Sequence, residues 1–356
     1  MAARQIERHL ARWQAGMVEG SVVPVLGPGA LDGARHPDTG DPMPADSESL
    51  ILALNGGQPM SPVLMHEFSR AAMQVEQEYG RPYLERFLQV CFGEVPWTRA
   101  PVIDWLAALR PAWVVDLNRD TQLQDAWAGT PHTLVQGMAR IASERRFRVF
   151  RHDGERYHEL TGLAAEAPEP LPEPILLKPL GTPRPEPSFV ASDADFVDYL
   201  TELMGGFALP RFIKERRRGV HYVSLGVRYT RDTERMLFTE ISQHGAEPKG
   251  WAVLPESTPK ERRYLARQGM AIIDGLAARP LRPAPVGGGP SVEPRHRAAR
   301  GARPRTKRPL PGLPSARLRL VPTLAASPLP PFWSRCPTAS PHQRACRSRG
   351  YRYECP

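Results

Sequence analysis

Ser21-Val22-Val23-Pro24-Val25-Leu26-Gly27-Pro28-Gly29-Ala30 is the stretch that decides how the chain is read. A short β-branched run that stops in two glycines one residue apart predicts a buried strand breaking into a loop. Without Cβ atoms such a loop can bring backbone N–H groups close to a phosphate, so Gly27, Pro28, Gly29 and Ala30 are candidate ligand-binding positions. A tight turn that binds nothing has the same pattern, and the decision between them rests on the rest of the chain.

Three later segments end in the same way. Pro111–Asn118 is an apolar run closing on Asp116, Asn118 and Asp120. Ile175–Gly181 and Val220–Gly226 each close on a glycine, the latter just after Ser224. Between and after them the pattern predicts helices over 47–54, 62–78, 82–92, 100–109, 192–204, 210–218, 232–241 and 259–267, with Ser192 as a helix cap. Short strands are predicted over 147–150, 157–160, 250–254 and 270–273. Strands alternating with helices specify an α/β fold, a Rossmann-like, mostly parallel sheet with helices on both faces. Ligands of such sheets bind beyond the carboxyl ends of the strands, where all four segments place their glycine or polar residues.

The overall charge of +9 misleads. Residues 281–356 hold 15 of the basic side chains and 2 of the acidic ones, which leaves 32 basic against 36 acidic in the first 280 residues, a net of −4. The high isoelectric point therefore belongs to the tail and is no nucleic-acid signature of the body. With 15 prolines in 76 residues and no periodicity, that tail is expected to be disordered. Two readings of it stand: a basic arm through which alone nucleic acid or a partner could be engaged, or a frameshift-derived segment from a GC-rich gene.

The first 20 residues carry Ile6, Leu10, Trp13 and Met17 at helical spacing, an amphipathic helix packed on the core rather than a leader peptide. No apolar run reaches the roughly 18–20 residues of a membrane span. The four cysteines (Cys91, Cys336, Cys346 and Cys355) form no Cys-x-x-Cys pair, so neither a metal site nor a disulfide framework is expected, and a cytoplasmic location is.

Taken in order, the four segments resemble the SIR2-like family, bacterial relatives of the sirtuins. Val25–Ala30 is similar to the family's Gly-Ala-Gly loop, and Val114–Asp120 to its Thr-Thr-Asn-Tyr-Asp. Leu177–Thr182 is similar to Lys-Leu-His-Gly-Ser, and Val223–Val227 with Asp232 to Leu-Gly-Tyr-Ser…Asp. The resemblance implies a domain over 21–278 that binds NAD or ADP-ribose through Gly27, Pro28, Gly29, Ala30, Asn118, Asp120, Gly181, Ser224 and Gly226. The chain departs from the family at Leu180, where the catalytic His falls, at Leu31 for the loop Ser and at Arg119 for the Tyr, and it lacks the four-cysteine zinc module.

Cleavage of the nicotinamide–ribose bond builds positive charge on the ribose, which a carboxylate stabilises while an amide positions hydroxyls or water. Asn118 and Asp120 have the side chains for those roles, and each also reads as an ordinary turn residue or helix cap. With Leu180 unable to act as a base, His132 and His221 are the candidate replacements, and both read equally as core or loop histidines. Three functions stay open: an NAD glycohydrolase with weak activity, a non-catalytic nucleotide-sensing or scaffold module acting as a homo-oligomer or with a partner, and, least favoured, an NAD-dependent deacylase.

Overall fold

The computed structural model describes residues 2–140, 145–169, 174–254 and 256–274. The expectation for 281–356 lies outside them. Eleven strands are present among the described residues: β1 Val22–Leu26, β2 Trp113–Asp116, β3 His132–Gly137, β4 Phe147–His152, β5 Tyr157–Leu160, β6 Ile175–Lys178, β7 Gly181–Thr182, β8 Ser188–Phe189, β9 His221–Leu225, β10 Gly250–Leu254 and β11 Met270–Asp274. The helices are α1 Ala2–Glu19, α2 Ser47–Leu54, α3 Phe68–Tyr79, α4 Arg81–Gln89, α5 Pro101–Leu109, α6 Gln122–Ala126, α7 Gly162–Glu166, α8 Asp193–Gly205, α9 Arg211–Arg216, α10 Asp232–Ile241 and α11 Pro259–Arg267.

Nine strands form one sheet in the order β11-β10-β9-β1-β2-β6-β3-β4-β5. It is parallel from β11 to β3 and antiparallel across β3-β4-β5. The antiparallel edge follows from the short turn at Asp153-Gly154, which can join only antiparallel neighbours. Pro24 sits in the central strand although it has no N–H. The ladder of β1 with β2 starts only at Val25, whereas that with β9 runs the whole strand.

Alternation along the strands divides the core into two layers. Val22 and Leu26 of β1, Val114 of β2 and Leu176 of β6 face the side covered by α1 to α5, where Trp13, Met17, Ile51 and Leu106 pack. Val23, Val25, Val115 and Leu177 face the other side, against Tyr199 of α8, Ile213 of α9, Phe238 of α10 and Leu265 of α11. This is an α/β sandwich with helices on both faces of the sheet. The helix ends carry the signals expected of them. Asp195 accepts from the Ser192 N–H at 3.0 Å at the start of α8, and Thr258 and Glu261 cap α11 reciprocally. Among the described residues no helix is long and apolar enough to cross a membrane.

The topology fixes where a ligand can go. From β1 the chain passes to β2 on one side, fills that half of the sheet, and then returns to β9 on the opposite side of β1. Loops leaving β1 and β9 in opposite directions open a crevice at the carboxyl ends of the central strands.

Candidate functional site

The glycine stops meet at this crevice, and they meet each other. The Gly27 N–H donates to Leu225 O at 3.0 Å, Gly29 N–H to Gly226 O at 3.0 Å and Ala30 N–H to Gly27 O at 2.9 Å. A Cβ on Gly27 would fall 2.4 Å from Val227 Cα, and one on Gly226, whose φ is +67°, 2.5 Å from Ala30 N. The glycines are required because two backbones cross there. The Gly27 and Gly29 N–H groups are already bonded to the β9 loop and that of Ala30 to Gly27 O, so these amides are engaged where residues 27–30 were expected to hold a phosphate.

Beside this crossing lies a cavity of about 300 Å³. Pro28 and Leu31 line it from the β1 loop, Leu117 to Arg119 from the β2 loop, Leu180 from the β6 end and Val227, Arg228, Thr230 and Arg231 from the β9 loop. Its outer wall comes from α2, α3 and α10, including His66, Glu67 and Glu234. The polar loop after the first strand, bridged at Arg35 and Pro42, leads into that wall at Asp46, which caps α2 by accepting from Ser49 N–H.

Asn118 reaches the cavity as expected and is nearly buried. Its Nδ2 donates to Gly27 O and to Asp116 Oδ1, both at 3.0 Å, so both amide protons are committed to fixing the two loops. The amide oxygen is the function left to a ligand. Beneath it lies a fully buried charge cluster. Lys178 Nζ sits 2.5 Å from Asp116 Oδ2 and 3.9 Å from Asp120 Oδ2. Burial pushes the Asp116 carboxyl up to about 6, against the pull of Lys178 and with the push of Asp120.

Asp120 does not reach the cavity. Its Oδ1 accepts from Gln122 N–H at 2.8 Å, one residue ahead of the expected cap position at the start of α6, and its Oδ2 accepts no hydrogen bond among the described residues. Gly181 lies instead in the β7–β8 hairpin, where a Cβ would collide with Ser188 O. Ser224 is buried in β9, its Oγ accepting from Tyr229 O–H at 2.9 Å. Gly27, Gly29, Ala30 and Gly226 form the crossing without lining the cavity.

The expected bases lie at the other end of the sheet. His132 opens β3, fully buried, with Nδ1 against Thr130 O and Nε2 2.6 Å from the Tyr157 hydroxyl, and its ring stacks on His152. Burial holds its imidazole down at about 4, so it stays neutral. His221 opens β9, bonded to Pro248 O and packed on Trp251. Both mark the amino ends of parallel strands, across the sheet from the crevice, because a strand's first residue cannot share the edge where its last residue emerges.

The reading of four strand ends misses the ionisable groups that do line the cavity. Glu234, in the first turn of α10, accepts from Arg231 N–H at 3.3 Å, and burial raises its carboxyl to about 7, with Glu67 adding to the rise. His66 contacts Arg231 through Nε2 and through its own carbonyl. Arg228 is held by Glu261 at 3.0 and 3.2 Å. The available signal was position: Arg228, Arg231 and Glu234 directly follow the fourth glycine stop.

No protein-family model and no curated protein matches this sequence. Functional reading therefore rests on the cavity itself.

Proposed function

We propose that the chain is a SIR2-like protein that binds NAD or ADP-ribose in the cavity at the carboxyl ends of β1, β2, β6 and β9. The observation that carries this reading is the convergence of Pro28, Asn118, Leu180 and Val227, one from each strand end, on a single cleft at the topological switch point. At about 300 Å³ the cleft lies at the lower end of ligand pockets, which run from roughly 300 to 1,000 Å³. The glycine crossing does not fit a dinucleotide phosphate, since its N–H groups are spent between loops. What suits a ligand there is the Asn118 amide oxygen, the arginine-bearing wall and the apolar side chain of Leu180.

Binding without turnover is the reading favoured by Leu180, which replaces the base the resemblance would supply. Weak glycohydrolase activity is the second reading, and Glu234 favours it. A cavity carboxyl poised near neutrality has the protonation behaviour of a general acid or base.

The full chain incubated with NAD or ADP-ribose is expected to show a rise in melting temperature that Asn118→Ala reduces. Release of nicotinamide, abolished by Glu234→Gln with binding retained, selects the hydrolase. Binding with no release selects the sensing module. No shift with either nucleotide overturns both.

A further inference from the structure

With the glycine amides spent, an anionic ligand must find its counter-charge elsewhere. Three arginines line the cavity: Arg119, Arg228 and Arg231. Arg228 is neutralised by the two oxygens of Glu261, and the Arg231 guanidinium rests on His66. Arg119 is different. It is 8% exposed, yet its Nε and Nη2 both donate to a single neutral acceptor, Val190 O, at 3.0 and 2.5 Å. The guanidinium lies over the Phe68 ring, 5.5 Å from its centroid. Among the described residues it forms no ion pair, and its Nη1 makes no hydrogen bond. Asp195, the carboxylate that acts on it from a distance, is already engaged by Arg81 at 2.5 Å and Arg140 at 2.8 Å.

Burial lowers the Arg119 guanidinium to about 10, still well above neutrality, so the group remains a cation in a dehydrated setting. A desolvated cation of this kind is costly unless an anion meets it. Its planar fork, held by Val190 and Phe68 with Nη1 uncommitted, suits an oxyanion with adjacent oxygens.

We infer that Arg119 is the phosphate-binding residue of the cavity, taking a phosphate or diphosphate group through its free guanidinium edge in the place of the glycine-loop amides. The inference rests on this cavity being the ligand site of the proposed function. It goes beyond that reading by giving the phosphate a place on the β2 loop, on a side chain to which the family resemblance gives no such role.

The test is calorimetric titration of the full chain with inorganic pyrophosphate, ADP-ribose and adenosine, for wild type and Arg119→Met. Pyrophosphate and ADP-ribose are expected to bind wild type and to bind Arg119→Met at least about tenfold more weakly. Adenosine binding should change little between the two. Phenylglyoxal modification of wild type, read by peptide mapping, is expected to slow at Arg119 when pyrophosphate is present, and this arm decides the matter if Arg119→Met does not fold. Equal binding of ADP-ribose to both proteins, or an Arg119 adduct that forms at the same rate with and without pyrophosphate, overturns the inference. In that case Arg119 is a tie between Val190 and Phe68, and the dinucleotide reading survives. Protection of Arg119 by pyrophosphate with no binding of ADP-ribose gives the opposite division: the phosphate site stands and the dinucleotide reading falls.

Discussion

Each end of the sheet carries a buried polar cluster, and the two are built differently. At the carboxyl end, Asp116, Lys178 and Asp120 place charges under a cavity whose wall adds Asn118, Arg119 and Glu234. At the amino end, His132 stacks on His152, and Tyr157 stands edge-on to both with its hydroxyl 2.6 Å from His132 Nε2. Both contain residues able to do acid–base chemistry. The first lies where loops diverge and leave a cavity, which is set by strand direction and not by residue type. A titratable side chain in a parallel sheet therefore acquires functional meaning from the end of the strand it occupies.

The sharpest way to break the comparison is to remove one charge at the carboxyl end. Lys178→Met leaves Asp116 buried beside Asp120 with no cation, and a loss of about 3–5 kcal/mol in urea-induced unfolding is expected. Adding Asp116→Asn should restore part of it. An unchanged midpoint would mean that the cluster is hydrated and not buried. Next in size is the crossing of the β1 and β9 loops. Gly226→Ala, forced to keep φ at +67° against Ala30 N, should cost about 2–3 kcal/mol in the same assay. A neutral effect would show that the loops separate easily and that the glycine amides could serve a ligand after all.

The amino end predicts a smaller effect with a definite sign. The folded His132 is held at about 4 and takes up its proton later than the unfolded chain, whose imidazole has the ordinary value of 6.5. As pH falls from 6.5 towards 4 the unfolded state binds more protons, so stability falls. His132→Phe should flatten that slope in unfolding experiments run across the window. At the carboxyl end the sign reverses. Glu234, held at about 7 against an ordinary 4.5, stays protonated longer when folded, so its contribution declines as pH rises from 4.5 through 7. Glu234→Gln should remove this decline, and because the two windows overlap between 4.5 and 6.5 the fall in stability on acidification should become steeper there, the opposite of the flattening expected from His132→Phe. The two changes should add in the double variant, and a departure from additivity would couple the two ends of the sheet.

Most of the fold was legible. Apolar runs closed by glycine located β1 and β9 within a residue or two and the start of β6, which ends three residues before Gly181, and periodicity with caps located α2, α8, α10 and α11. β3 was not legible because Thr133 and Gln136 interrupt its apolar run. Gln136 Nε2 donates to Thr182 O and Glu186 O, 46 and 50 residues away, which no local pattern reveals. The β7–β8 hairpin escaped for its brevity. Of the residues read from strand ends, Pro28 and Asn118 line the cavity, whereas Gly27, Gly29, Ala30 and Gly226 form the loop crossing beside it. A glycine signals close approach, but whether to a ligand or to another backbone depends on a partner loop nearly two hundred residues away. His66 and Glu67 lie just before α3, and the tertiary fold brings them to the wall.

Hydrogen–deuterium exchange of the full chain with and without ADP-ribose tests most directly whether the carboxyl-end cavity is the ligand site. The account predicts slowed exchange in the backbone at 117–119 and 227–234, with the hairpin from His132 to Tyr157 unchanged. Protection confined to that hairpin, or protection nowhere, would contradict it.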